Sequence, residues 1–290
     1  IHDGASVLDG KIYVIGGSNG LADNIAERYD TSSNTWESLA SMSVPRRGVA
    51  SSVLDGKLYA IGGQDLSSVE VFDTSTLSWS AGVSLPSEVN YGNAITVNGM
   101  IYLIGGRNSS NSNISQNLCF DPSTNQWIAK ANMPTPRHQI KLVWFENRIW
   151  AIGGLDGSYS NKVESYDPNT DSWRVEPSLR ETRHEPFAWV ANGGIYVGGG
   201  RNSYHLNSIE KFSSSVGSWL NVGDFPVNKF TADAVVLDEK VYVIGGETGP
   251  DMSSKTVYAA DLNVFIYDLY IKDGNASAGT PLVQAEVADG

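Results

Sequence analysis

Cysteine is nearly missing from this 290-residue chain. Cys119 stands alone, so no internal disulfide forms and the fold must be held by burial and hydrogen bonding. No run of about 18 apolar residues occurs either, which excludes a transmembrane helix. Positive charge is scarce: 20 Lys and Arg against 32 Asp and Glu leave a formal charge of −12. That balance excludes a general nucleic-acid binder, which needs a basic face to displace counterions from phosphate, although a local basic patch is compatible with it. The chain opens on Ile1 rather than methionine, and its end, from Gly274 onward, is small and polar with little strand pattern. Both ends read as cuts from a longer protein, with 271–290 as a tail or linker. Low lysine and a lone cysteine favour export from a bacterium-like cell, to the medium or the cell surface.

Glycine is plentiful, with 30 residues beside 10% aromatics. A double glycine closes an apolar run six times: Ile15-Gly16-Gly17, Ile61-Gly62-Gly63, Ile104-Gly105-Gly106, Ile152-Gly153-Gly154, Gly198-Gly199-Gly200 and Ile244-Gly245-Gly246. Successive spacings are 46, 43, 48, 46 and 46 residues. After each of the first five comes a tryptophan: Trp36, Trp79, Trp127, Trp173 and Trp219. Between these anchors lie Tyr29-Asp30, Phe72-Asp73, Phe120-Asp121 and Tyr166-Asp167, with Phe212-Ser213 in the fifth unit. Glutamate precedes the aromatic by two at Glu27, Glu70, Glu164 and Glu210. Ahead of each double glycine, two apolar stretches flank a tight turn such as Asp55-Gly56, which predicts a hairpin.

Each unit therefore reads as four short strands, too small to bury both faces of its sheet alone. Units must pack face to face around an axis, as in a propeller. With steps such as Tyr166-Asp167-Pro168-Asn169-Thr170-Asp171-Ser172-Trp173 after paired glycines, the sequence resembles the kelch family over residues 1 to 270. The resemblance implies an all-β, six-bladed propeller of four-stranded antiparallel blades. The sixth unit lacks the tryptophan; Phe265 and Tyr267 are expected to replace it. The first unit already holds four strands, so the ring is expected to close without an exchanged strand.

In such blades, with strands a to d from the axis outward, the b–c loops and the d–a connections emerge at one end. Aligned on the double glycine, Arg46, Val89, Arg137, Arg183 and Lys229 share one position before strand a. The next position holds Ile1, Arg47, Asn90, His138, His184 and Phe230, followed in the third unit by Tyr91. The b–c loops add Arg107, Tyr159, Arg201, Tyr204 and His205, and all four histidines, His2 included, fall at this end. Guanidinium forks grip carboxylates and aromatics supply contact area, so the end is suited to acidic side chains, carboxylates or sugars. Against this stands a scaffold reading, in which the cations before strand a pair with Glu27, Glu70, Glu164 or backbone carbonyls.

Some kelch propellers are enzymes. Copper radical oxidases of that family need a cysteine cross-linked to tyrosine, but Cys119 sits inside the expected strand Leu118-Cys119-Phe120 and reads as core. The Glu-x-x-x-Asp-x-x-x-His iron motif of plant specifier proteins is missing, since Pro134, Arg180 and Arg201 stand four before His138, His184 and His205. Nucleophile elbows and phosphate loops are missing too. The expectation is a non-catalytic domain, monomeric in itself and without cofactor or metal, that binds a protein or peptide, acidic segments included. Two alternatives stay open: a carbohydrate-active propeller acting on a sugar acid, resembling the sialic acid mutarotase branch, and a structural spacer.

Overall fold

The computed structural model describes residues 4–18, 21–248, 256–262 and 283–285. These form six antiparallel sheets, each of four strands consecutive in sequence and in space. Blade one comprises Gly4–Leu8, Lys11–Ile15, Ala26–Asp30 and Thr35–Ser38, and blade four Lys141–Phe145, Arg148–Ile152, Val163–Asp167 and Ser172–Glu176. The first strand of every blade touches the first strands of both neighbours, so strand a lines the axis and the ring is complete. Among the described residues there is no helix, and none long and apolar enough to cross a membrane. The expected six-bladed all-β propeller is what the chain forms.

Local chemistry accounts for each blade. The a–b turns carry two residues of positive φ, as at Asp9 (50°) and Gly10 (69°), the twist that suits a two-residue hairpin. Where strand c ends, the carboxylates of Asp30, Asp73, Asp121 and Asp167 accept the N–H two residues on, at 2.8–2.9 Å. These bonds start the c–d turn, which is why aspartate follows the aromatic. That aromatic faces the tryptophan of strand d directly, with ring centroids 5.1–5.4 Å apart in blades one to five. Tryptophan also ties its blade to the preceding connection: the indole N–H groups of Trp79, Trp127, Trp173 and Trp219 donate to Ala40, Val83, Ala131 and Pro177 carbonyls at 2.7–2.9 Å.

The double glycine is where consecutive blades meet. Gly154 N–H donates to the Arg183 carbonyl of the next blade at 2.9 Å, and the same carbonyl lies 2.5 Å from where a Cβ on Gly153 would stand. Gly17 and Arg46, Gly63 and Val89, Gly106 and Arg137, and Gly200 and Lys229 repeat this bond.

Blade six is built from Phe230–Leu237, Lys240–Glu247, Val257–Asp261 and Val283–Ala285. Among the described residues no strand is exchanged with blade one, in keeping with the expected closure. The boundary expected at residue 270, and the aromatics Phe265 and Tyr267, lie outside the described residues; the last strand comes from beyond that boundary.

Two glycines of positive φ separate backbone strain from carbonyl contact. Gly10→Ala, with nothing within 4 Å of its would-be Cβ, is expected to cost about 1 kcal/mol in urea unfolding. Gly153→Ala adds the clash with Arg183 and is expected to cost about 3 kcal/mol.

Candidate functional site

The b–c loops and d–a connections meet at one end, as short bridges Asn90↔Arg107, His138↔Leu155 and His184↔Arg201 show. The cations placed there by sequence alignment divide sharply. Arg46, Arg137, Arg183 and Lys229 are each 0% exposed, which corrects their assignment to the ligand-binding set. Each arginine is consumed inside its own blade. The Arg137 guanidinium donates to the Gly153 and Lys162 carbonyls at 2.7 and 2.8 Å and pairs with Glu164 at 2.9 Å. Arg46 does the same with Gly62, Ser68 and Glu70, and Arg183 with Gly199, Ser208 and Glu210.

Register makes the scaffold role explicit. Ala60↔Glu70, Leu103↔Leu118, Ala151↔Glu164, Val197↔Glu210 and Val243↔Tyr258 are equivalent pairings, so Leu118 and Tyr258 stand where the other blades have glutamate. In those two blades the cation changes as well. Val89 shares an apolar cluster with Leu118, and the Lys229 ammonium lies 5.2 Å from the Tyr258 ring centroid. Each partner matches its opposite: cation with carboxylate, apolar with apolar, ammonium with aromatic face. Among the described residues Lys229 has no hydrogen-bond partner, and burial pushes its pKa down to about 8.

Of the remaining expected residues, Arg47, Arg201 and Tyr204 are exposed, the last at 78%. Arg107, Tyr91, Tyr159 and His205 are half-buried. Asn90 is buried and accepts the Asp65 N–H at 2.9 Å, a loop contact. His138 and His184 are buried, the latter stacked on Tyr159 at 5.3 Å, while His205 stacks on Phe230 at 4.4 Å. Burial, then the charge of Arg107, holds His138 down to about 4; burial, then Arg201, does the same for His184. Both rings are neutral at pH 7, so the histidines contribute aromatic surface rather than charge. Ile1 and His2 lie outside the described residues.

Apart from Tyr91, sequence reasoning missed the ring nearest the axis. Gly48, Tyr91, Gln139, Glu185 and Thr231 share one place at the top of strand a and all have φ between 50° and 65°. Their backbones link blade to blade: Tyr91 N–H donates to the Gly48 carbonyl at 2.9 Å, Gln139 to Tyr91 and Glu185 to Gln139 at 3.0 Å each. These residues rim a small cavity of about 70 Å³ whose floor includes Asn93, Lys141 and Asp233. Below that floor the axial channel opens to about 260 Å³, walled by strands a. A Lys141–Asp233 ion pair separates the two spaces. The glycine at position 48 is the one sequence signal for this ring, since nothing in a tyrosine, glutamine, glutamate or threonine announces positive φ.

Comparison with known proteins fits this architecture. The model of the KLHDC2/KLHL20/DRC7 Kelch-repeats domain matches residues 64–246, and that of the Kelch motif matches residues 4–43. The chain belongs to the kelch-repeat family. A solved structure titled "Structure of YjhT" has a TM-score of 0.78 to this kelch propeller, covering 90% of this chain and 94% of its own at 18% identity; that is a likeness of fold. No curated protein matches the sequence. Kelch membership supports a protein-interaction module and leaves a kelch-type enzyme open. Among the described residues, no three His, Cys, Asp or Glu side chains gather as metal ligands. Cys119 is fully buried against Met100, 3.4 Å away, as expected for core.

Neutral burial of two histidines has a pH signature. The unfolded side chains titrate near 6.5 and the folded ones near 4, so the unfolded state binds more protons between these values. Stability is expected to fall as pH drops through this window. Between pH 6 and 5, His138→Gln should remove about half of the histidine contribution to that slope in urea titrations.

Proposed function

We propose that this kelch propeller is a recognition module whose ligand, a protein or peptide segment bearing acidic side chains, docks across the mouth formed by the b–c loops and d–a connections. One observation carries the reading. With four cations withdrawn into the scaffold, Arg47, Arg107 and Arg201 remain at this end with solvent access. Tyr159, Tyr204 and His205 belong to the same loop end, and Tyr91 rims the axial cavity. Arginine offers a planar fork to carboxylates, and tyrosine gives contact area at low entropic cost, the composition of interface anchors. Placement on loops held by a rigid ring is what lets such residues act without disturbing the fold.

Binding of the whole chain to paired synthetic peptides tests this, one set rich in Asp and Glu and the other with Asn and Gln in their place. The acidic set is expected to bind at least about tenfold more tightly, with affinity falling as salt rises. Arg107→Ala and Arg201→Ala should each weaken that binding about five- to tenfold while moving the melting temperature by less than about 2 °C. Equal binding of both sets would overturn the reading. Silence of both, with faster anomer exchange of a sialic acid, would replace it by the sugar-acid reading.

A further inference from the structure

Five junctions between blades are crossed by the chain itself, and each carries a double-glycine bond to the next blade. The junction between blade six and blade one is different. It joins sheets from opposite ends of the sequence, without an exchanged strand among the described residues. Two contacts hold it among the described residues. One is an apolar wall in which Ile12, Val14 and Tyr29 pack on Tyr242, Ile244 and Val257. The other is Asp233, on the axis.

Asp233 occupies the same register position in strand a as Gly4, Ala50, Asn93, Lys141 and Phe187. One of its oxygens accepts the backbone N–H of Ala5, in strand a of blade one, at 3.0 Å. The other takes the Lys141 ammonium of blade four and the N–H of Ala234. Both partners of the ion pair are largely buried, with side chains 14% and 13% exposed. Asn93 makes the equivalent reach from blade three, its carbonyl oxygen accepting the Leu142 N–H of blade four at 3.2 Å. That junction, unlike the last, is crossed by the chain.

We infer that Asp233 is the clasp that shuts the ring: a single carboxylate joining blade six to blade one along the axis and bracing both against blade four through Lys141. A charge-assisted bond in a low-dielectric channel is stronger than its surface counterpart, and loss of one partner leaves the other buried without compensation. The same ion pair also lines the mouth cavity. The asparagine at position 93 performs the same reach where the backbone already enforces closure, and so serves as an internal control.

Amide hydrogen exchange on the whole chain tests the clasp. Asp233→Ala is expected to speed exchange in Gly4–Leu8 and Phe230–Leu237 about tenfold or more, leaving the strands at Asn93–Val97 and Lys141–Phe145 within about twofold. Asp233→Asn, which keeps an acceptor for Ala5 and loses the ion pair, and Lys141→Met should each give a smaller rise in the same strands. Should Asp233→Ala fail to fold, these two variants carry the test. Asn93→Ala should speed exchange at Leu142 alone. Unchanged exchange at Gly4–Leu8 in the Asp233 and Lys141 variants, or an equal rise in every blade, would overturn the inference.

Discussion

A guanidinium with no access to water is the constraint on which the architecture rests. Arg137 cannot be left uncompensated in a dry seam, so Glu164 and the Gly153 and Lys162 carbonyls close around it. Its own carbonyl in turn receives the N–H of Gly106 from the blade before, and lies 2.5 Å from the place of a Cβ on Gly105. Side chain and backbone of one residue thus join two consecutive double glycines. The recurrence of glycine and of the cation are two aspects of the same stitch, repeated through Arg46, Arg183 and, with altered partners, Val89 and Lys229.

Much of this was legible from residues alone, because the repeat reports backbone demands directly. Glycine pairs, the aromatic with its aspartate, and the tryptophan each answer a local need, and six copies in register leave little room for another fold. Arginine was harder. Arg46 and Arg47 are adjacent and equally polar, yet one is 0% exposed and the other faces solvent. Alignment placed both at the correct end without saying which points inward. The deciding evidence was present in the sequence as a paired change: where valine replaces the arginine, leucine replaces the glutamate, and where lysine replaces the arginine, tyrosine replaces the glutamate. The positive-φ ring of Tyr91, Gln139, Glu185 and Thr231 had no such signature, since its geometry comes from neighbouring blades rather than from its own residues.

Function then occupies what the scaffold leaves over. Once the buried cations are subtracted, the mouth is less basic than the alignment suggested, and its two buried histidines are neutral. The surface that remains mixes three arginines with tyrosines and the carboxylate of Glu185, and it is on this mixture that the proposed docking of an acidic segment rests.

A double-mutant cycle at Arg137 and Glu164 tests the buried stitch most directly, using the chemistry that blade three already employs as Val89 and Leu118. Arg137→Val or Glu164→Leu alone is expected to cost about 3 to 5 kcal/mol in unfolding free energy, because each leaves a buried charge alone. The double substitution should recover at least about 2 kcal/mol of the summed loss. Strictly additive losses, or single substitutions without effect on stability, would contradict the account.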